Sequence, residues 1–260
     1  MVLLIISIVV ALLITIGFPI AAGFWLKNRL GVPWRIISYG ALGYFIVQSL
    51  VTLLFTGFSY LVDNGVLALS DQAFFTGQII LSVVLAALLG VLVRWAGMKY
   101  LKEDMDNLAS AYAIGVGYGG AESVMLVGIP LLTTFITMLS NMNIDPETTT
   151  LDPALAAQLV DLWQVSPLIP LAGSFERIAA FIMHITVTIL VLQVFKKNAV
   201  TWLAAAFGLE LLVNGLIVGL SEAGVLFGWV IVIAMVLMVG NLFLLYYLRA
   251  FEFDITNSAE

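Results

Sequence analysis

Seven runs of apolar residues, each long enough to cross a lipid bilayer, follow one another along this chain with short polar breaks between them. They fall near residues 2–25, 36–59, 77–97, 108–138, 166–195, 200–221 and 224–248. A helix rising about 1.5 Å per residue needs roughly 20 apolar residues to traverse the hydrocarbon core. In 260 residues this leaves no room for a sizeable soluble domain, and 62% hydrophobic with 10% charged side chains lies far outside the range of soluble globular chains. The expected fold is all-α: one polytopic membrane helical bundle over residues 1–260, with about seven transmembrane helices, the fourth and fifth long enough to tilt or break. The lipid bilayer is its first partner. The absence of cysteine excludes disulfides, thiolate metal ligands and a cysteine nucleophile. A net charge of −6, with no Lys/Arg stripe interleaved with aromatics, argues against nucleic acid as a partner.

The basic residues set an orientation. Lys27, Arg29 and Arg35 follow the first run, Arg94, Lys99 and Lys102 cluster around the end of the third, Lys196 and Lys197 follow the fifth, and Arg249 follows the seventh. Nine of the ten Lys and Arg thus fall on one side, which the positive-inside rule makes cytoplasmic, with the N-terminus outside and the C-terminus inside. The opposite loops carry Asp63, Asp71, Asp145, Glu147, Asp152, Asp161 and Glu222 without a basic residue. Helices rather than alternating strands imply the inner, cytoplasmic-type membrane of a prokaryote. The apolar start at Val2, with no basic leader or small-residue cleavage site, reads as a retained span rather than a removable signal. The one long loop, about residues 139–165, contains a stretch from Pro153 to Trp163 suited to a short amphipathic helix on the outer surface, or to a lid. No strong internal repeat of the transporter kind is visible.

Within the runs five ionisable residues stand out: Glu122, Glu176, Arg177, His184 and Glu210. A charge at the bilayer centre costs at least about 2.5–3.5 kcal/mol, so each needs a partner or a function. Counted along their helices, Glu122, His184 and Glu210 sit at one depth, about 15–21 Å from the inner edge, with Glu176 and Arg177 about two turns further out. The seven-residue spacing brings Arg177 onto nearly the same face as His184. Two accounts fit. In one, the groups pair off to join helices, Arg177 with Glu176 or Glu210, and His184 by a hydrogen bond across an interface. In the other they line a polar cavity between the fourth, fifth and sixth spans.

The stretch Gly115-Val-Gly-Tyr-Gly-Gly120, leading to Glu122, is not a phosphate loop, since no Lys-Ser/Thr follows and no strand precedes it. Its glycines permit either close helix packing or a local unwinding that exposes backbone groups. Tyr118 and Glu122 are four residues apart, as are Glu210 and Asn214, and each pair shares a helix face.

Three segments carry a resemblance: Gly117-Tyr-Gly-Gly-Ala-Glu122, Phe175-Glu-Arg-Ile-Ala-Ala-Phe-Ile-Met-His184 and Gly208-Leu-Glu-Leu-Leu-Val-Asn214. In these the chain resembles the YhfC family of bacterial intramembrane proteases, distant relatives of the CAAX-prenyl-protease and bacteriocin-processing membrane enzymes. Span layout matches along essentially the whole chain, and Glu-Arg followed by His after six intervening residues is the most specific element. The resemblance implies a buried Glu/His site that cleaves peptide bonds in or near the membrane, with water activated by glutamate or by a metal. Family members carry His where this chain has Tyr118, and a His-x-x-x-Asp pair where it has Glu210 and Asn214. A zinc ion ordinarily takes three protein ligands rich in His. The whole chain offers one His, so the expected cofactor is none, or a divalent metal such as zinc on Glu122, His184 and Glu210. Without metal, Glu122 would act as general base on water, His184 would orient the water or protonate the leaving amine, and Asn214 or Tyr118 would donate to the oxyanion. Glu176 and Arg177 would support that site as an ion pair.

Three functions are therefore expected from these residues: an intramembrane peptidase acting on a membrane-protein substrate, a catalytically degenerate relative serving as a binding or assembly subunit of a membrane complex, and, third, a small-solute transporter using the same midplane carboxylates.

Overall fold

The computed structural model describes residues 1–100, 107–142 and 153–250. Among the described residues there is no strand, and seven helices are long and apolar enough to cross a membrane. These are α1 Val2–Leu30, α2 Trp34–Asp63, α3 Asp71–Tyr100, α4 Leu108–Ser140, α6 Leu168–Lys197, α7 Thr201–Glu222 and α8 Phe227–Tyr247. An eighth, shorter helix, α5 Pro153–Leu162, lies in the long loop where a short helix is expected. Leu162 and Trp163 pack on Leu4, Ile8 and Met138, at the start of α1 and the end of α4, and no residue of α5 lines the central cavity described below. The rest of that loop at 143–152, with Asp145, Glu147 and Asp152, and also Lys102, lies outside the described residues.

Local chemistry sets the helix ends. Gly31 closes α1 in the left-handed region with φ 67°, where a residue without Cβ is least strained. Asn198 closes α6 at φ 49°. Asn107 caps α4 by accepting a hydrogen bond from the backbone N–H of Ser110 at 2.8 Å.

Packing centres on α6, which touches α1, α3, α4, α7 and α8. From His184 to Val194 every residue of α6 is buried, as befits a helix that is apolar on all sides and enclosed by others. The outer helices turn Leu, Val and Phe side chains such as Leu53, Val236 and Phe243 outward, where lipid tails are the natural solvent.

The glycine-rich part of α4 is regular helix from Leu108 to Ser123, so close packing, rather than unwinding, accounts for it. A Cβ at Gly117 would lie 2.0 Å from the carbonyl oxygen of Ile37 on α2, and one at Gly115 would lie 2.7 Å from the Cα of Ile185 on α6. From the α2 side, a Cβ at Gly40 would lie 2.2 Å from the carbonyl oxygen of Ile114. Missing side chains thus let α4 slide between two backbones, and its residues Ser110 to Gly120 are all buried.

Two helices are interrupted by a single π-helical turn, α1 at Leu13–Gly17 and α4 at Val124–Gly128. Of the two spans expected to tilt or break for their length, the fourth carries such a turn and the fifth is continuous α-helix, and the first has a turn that the sequence reading lacks. Each turn is followed two residues later by proline, Pro19 and Pro130. Proline has no N–H to give the carbonyl four residues back, so the helix widens there. The carbonyl of Thr15, four before Pro19, instead accepts a hydrogen bond from the Ser123 hydroxyl at 3.0 Å. The two turns also meet directly, since a Cβ at Gly128 would lie 2.7 Å from Cγ1 of Ile16.

Candidate functional site

The α4 wedge carries Tyr118 and Glu122 to the middle of the bundle, where they meet α3, α6 and α7. Around Tyr118 the central feature is Arg94 of α3, which is 2% exposed. Its Nη1 donates to both carboxylate oxygens of Glu210 on α7, at 3.0 Å to Oε2 and 3.3 Å to Oε1. Its Nη2 lies 2.8 Å from Nδ1 of His184 on α6. The guanidinium also lies over the Tyr118 ring, 3.8 Å from its centroid. Tyr118 in turn packs edge-on against Tyr44 of α2 and tilted against the His184 ring.

An arginine side chain only donates hydrogen bonds. Nδ1 of His184 therefore accepts from Arg94, which leaves the ring proton on Nε2. That nitrogen faces Glu122, 2.7 Å from Oε2, without the alignment of a hydrogen bond. The other Glu122 oxygen, Oε1, accepts from Nη1 of Arg177 at 3.2 Å. Arg177 also grips its neighbour Glu176, with Nε donating to Oε2 at 2.7 Å and Nη2 to Oε1. A continuous chain of polar contacts results: Glu210, Arg94, His184, Glu122, Arg177, Glu176.

Glu122, Arg177 and Glu210 line a cavity of about 870 Å³ between α2, α3, α4, α6, α7 and α8. Its walls are largely apolar, with polar groups from Gln48, Thr52 and Ser59 of α2, Gln78 and Ser82 of α3 and Asn214 of α7. The lining extends to Asp63 at the last residue of α2. An apolar chamber of this size with convergent polar groups is the usual form of a small-molecule or substrate site. Glu122 and Arg177 keep 18% and 14% of their side chains accessible, whereas Arg94, Glu210 and His184 keep 2% or less. Glu176, at 17%, is as accessible as these two, so Glu122, Arg177 and Glu176 are the charged groups most open to the cavity, with the deeper triad behind them.

The three groups expected at one depth do come together, with His184 between Glu122 and Glu210, the latter 3.7 Å from Nδ1 through Oε1. Arg177 pairs with Glu176, as one of the two expected alternatives has it, and with Glu122, which that account omits. Glu210 pairs with Arg94 and not with Arg177, and this corrects the other alternative. Arg94 itself is the residue missed, because its place near the end of the third run counts it among the cytoplasmic charges. Long helical side chains lean toward the N-terminus of their helix. Arg94 does so, folding back one turn until a Cβ at Gly90 would lie 3.1 Å from its Nη1. The signal available in the sequence was Gly90 itself, one turn before Arg94 on the same face.

A family model described as YhfC intramembrane metalloprotease matches residues 10–237. No curated protein and no solved structure matches the chain. The described residues do not fit the metal that this description implies. Among them no group of three or more His, Cys, Asp or Glu side chains is arranged to hold an ion. One face of the imidazole accepts from a guanidinium and the other carries a proton, so neither nitrogen has a lone pair to offer, and Glu210 already holds a cation.

Proposed function

Because the chain belongs to the YhfC intramembrane metalloprotease family, we propose that it hydrolyses peptide bonds in or beside the membrane, with Glu122 activating water in the cavity. One observation carries this reading: Glu122 is the carboxylate that combines access to a cavity of about 870 Å³ with a flanking imidazole and guanidinium. A water between Glu122 and a substrate carbonyl gives its proton to the carboxylate as its oxygen attacks the carbonyl carbon, and the same proton then passes to the leaving amine as the C–N bond breaks. His184 presents Nε2 to Glu122 at 2.7 Å, and Arg177 and the Asn214 amide face the space where an oxyanion would develop. Glu176 keeps Arg177 in place. No step needs a metal.

The test is cleavage of fluorescence-quenched single-span peptides by the protein in liposomes. Glu122→Gln should reduce the rate at least a thousandfold while the thermal unfolding curve is preserved, and Glu176→Gln should cost far less. Cleavage that survives Glu122→Gln removes this residue from the chemistry.

A second reading, a non-enzymatic binding or assembly subunit, is favoured by the mutual pairing of the six polar side chains, a closed network that stands without any substrate. It predicts no cleavage by the unaltered chain and a stoichiometric membrane partner that copurifies with it.

A further inference from the structure

We propose that the Arg94 guanidinium occupies the position a divalent metal would take, serving as the built-in cation of this site, so that the protein is assembled and works without bound metal. Three neighbours that would serve a cation converge on this group: the Glu210 carboxylate, Nδ1 of His184 and the π face of Tyr118. Each is matched to the fixed fork of a guanidinium, with Nη1 on the carboxylate and Nη2 on the imidazole. Room for it exists because α3 has glycine one turn earlier, where a Cβ would come within 3.0 Å of Glu210 Oε1 and 3.1 Å of Arg94 Nη1. The ion pair is buried at 1% and 2% side-chain exposure, where a second positive ion would meet direct repulsion from the first. Glu122 and Glu176, the more accessible carboxylates of the cavity, share Arg177 as their cation.

Arg94 also sets the tautomer of the imidazole. By donating into Nδ1 it fixes the ring proton of His184 on Nε2, toward Glu122. The inference stands apart from peptidase activity, because it is read in metal content and in the ring nitrogens.

The chain has one histidine, so the protein labelled with ring-¹⁵N histidine gives a single pair of ring signals. In the unaltered protein, purified in detergent without chelator, zinc, manganese, cobalt and iron should each remain at least tenfold below one equivalent by mass spectrometry. The spectrum should show Nε2 protonated and Nδ1 bare, and it should not move when zinc chloride is added in several-fold excess. Arg94→Gln frees the Nδ1 lone pair and leaves Glu210 without its cation, so zinc retention should rise at least tenfold with a shift of Nδ1. Arg94→Lys keeps the charge and should remain metal-free. One equivalent of metal in the unaltered protein, or a zinc-induced shift of its histidine, overturns the proposal. So does a folded Arg94→Gln protein that takes up no zinc. Should the Arg94 variants not fold, the measurements on the unaltered chain still decide it.

Discussion

Arg94 and Glu210 face each other deep in the bundle, with Gly90 against the pair, and that arrangement has a thermodynamic signature. Removing one member of a buried ion pair strands the other charge, at about 3–5 kcal/mol, whereas replacing both with apolar residues of similar volume is often nearly neutral. Arg94→Leu should therefore lower stability by about 3–5 kcal/mol, and the Arg94→Leu/Glu210→Leu double variant should recover most of it. Denaturant unfolding in mixed micelles measures both; additive losses would show that the two residues do not act as a pair. Glu176→Gln is milder, since Arg177 retains Glu122.

Helix contacts here are made by absent side chains as much as by present ones. At Gly117 and Gly40 an added Cβ would press on a backbone carbonyl, which cannot swing aside as a side chain can. Gly117→Ala and Gly40→Ala should each cost several times more than Gly57→Ala or Gly97→Ala, where nothing lies within 4 Å of the new methyl. Because both act at one crossing of α2 and α4, the pair should be less than additive. Thermal unfolding of the four single variants and the double variant tests this. The paired π-turns make a second element-scale prediction. Ser123→Ala leaves the Thr15 carbonyl without its donor and should cost about 1 kcal/mol, visible as a lower unfolding temperature.

For the molecule as a whole, the expected orientation rests on charge. With Arg94 buried, Lys27 and Arg29 at the end of α1, Arg35 at the start of α2, Lys99 at the end of α3, Lys196 and Lys197 at the end of α6 and Arg249 after α8 remain to predict a cytoplasmic side. The cysteine-free chain makes the test direct. In intact cells, an impermeant maleimide should label Ser70→Cys, beyond the far end of α2, and should reach Asn28→Cys only after permeabilisation. The reverse pattern would invert the assignment. The cavity lining reaches Asp63 near the same end as Ser70, so this labelling also gives the side on which the chamber comes closest to water.

The number and placement of the membrane helices, the unusual length of α4 and the gathering of Glu122, His184 and Glu210 were legible in the residues alone. Each depends on quantities that add along one helix: hydropathy over about 20 residues and a constant rise per residue. The break in α1 was within reach as well, written in Gly17-Phe-Pro19 as it is in Gly128-Ile-Pro130. What tertiary structure alone decided is how each helix is rotated and what stands opposite it. Rotation chose Arg94 over Arg177 for Glu210, kept the glycine-rich stretch helical by supplying backbones for it to pack on, and put a guanidinium between an imidazole and a carboxylate. None of these can be summed along the chain, because in a low-dielectric interior the partner of a charge is set by angstrom-scale distances between residues far apart in sequence.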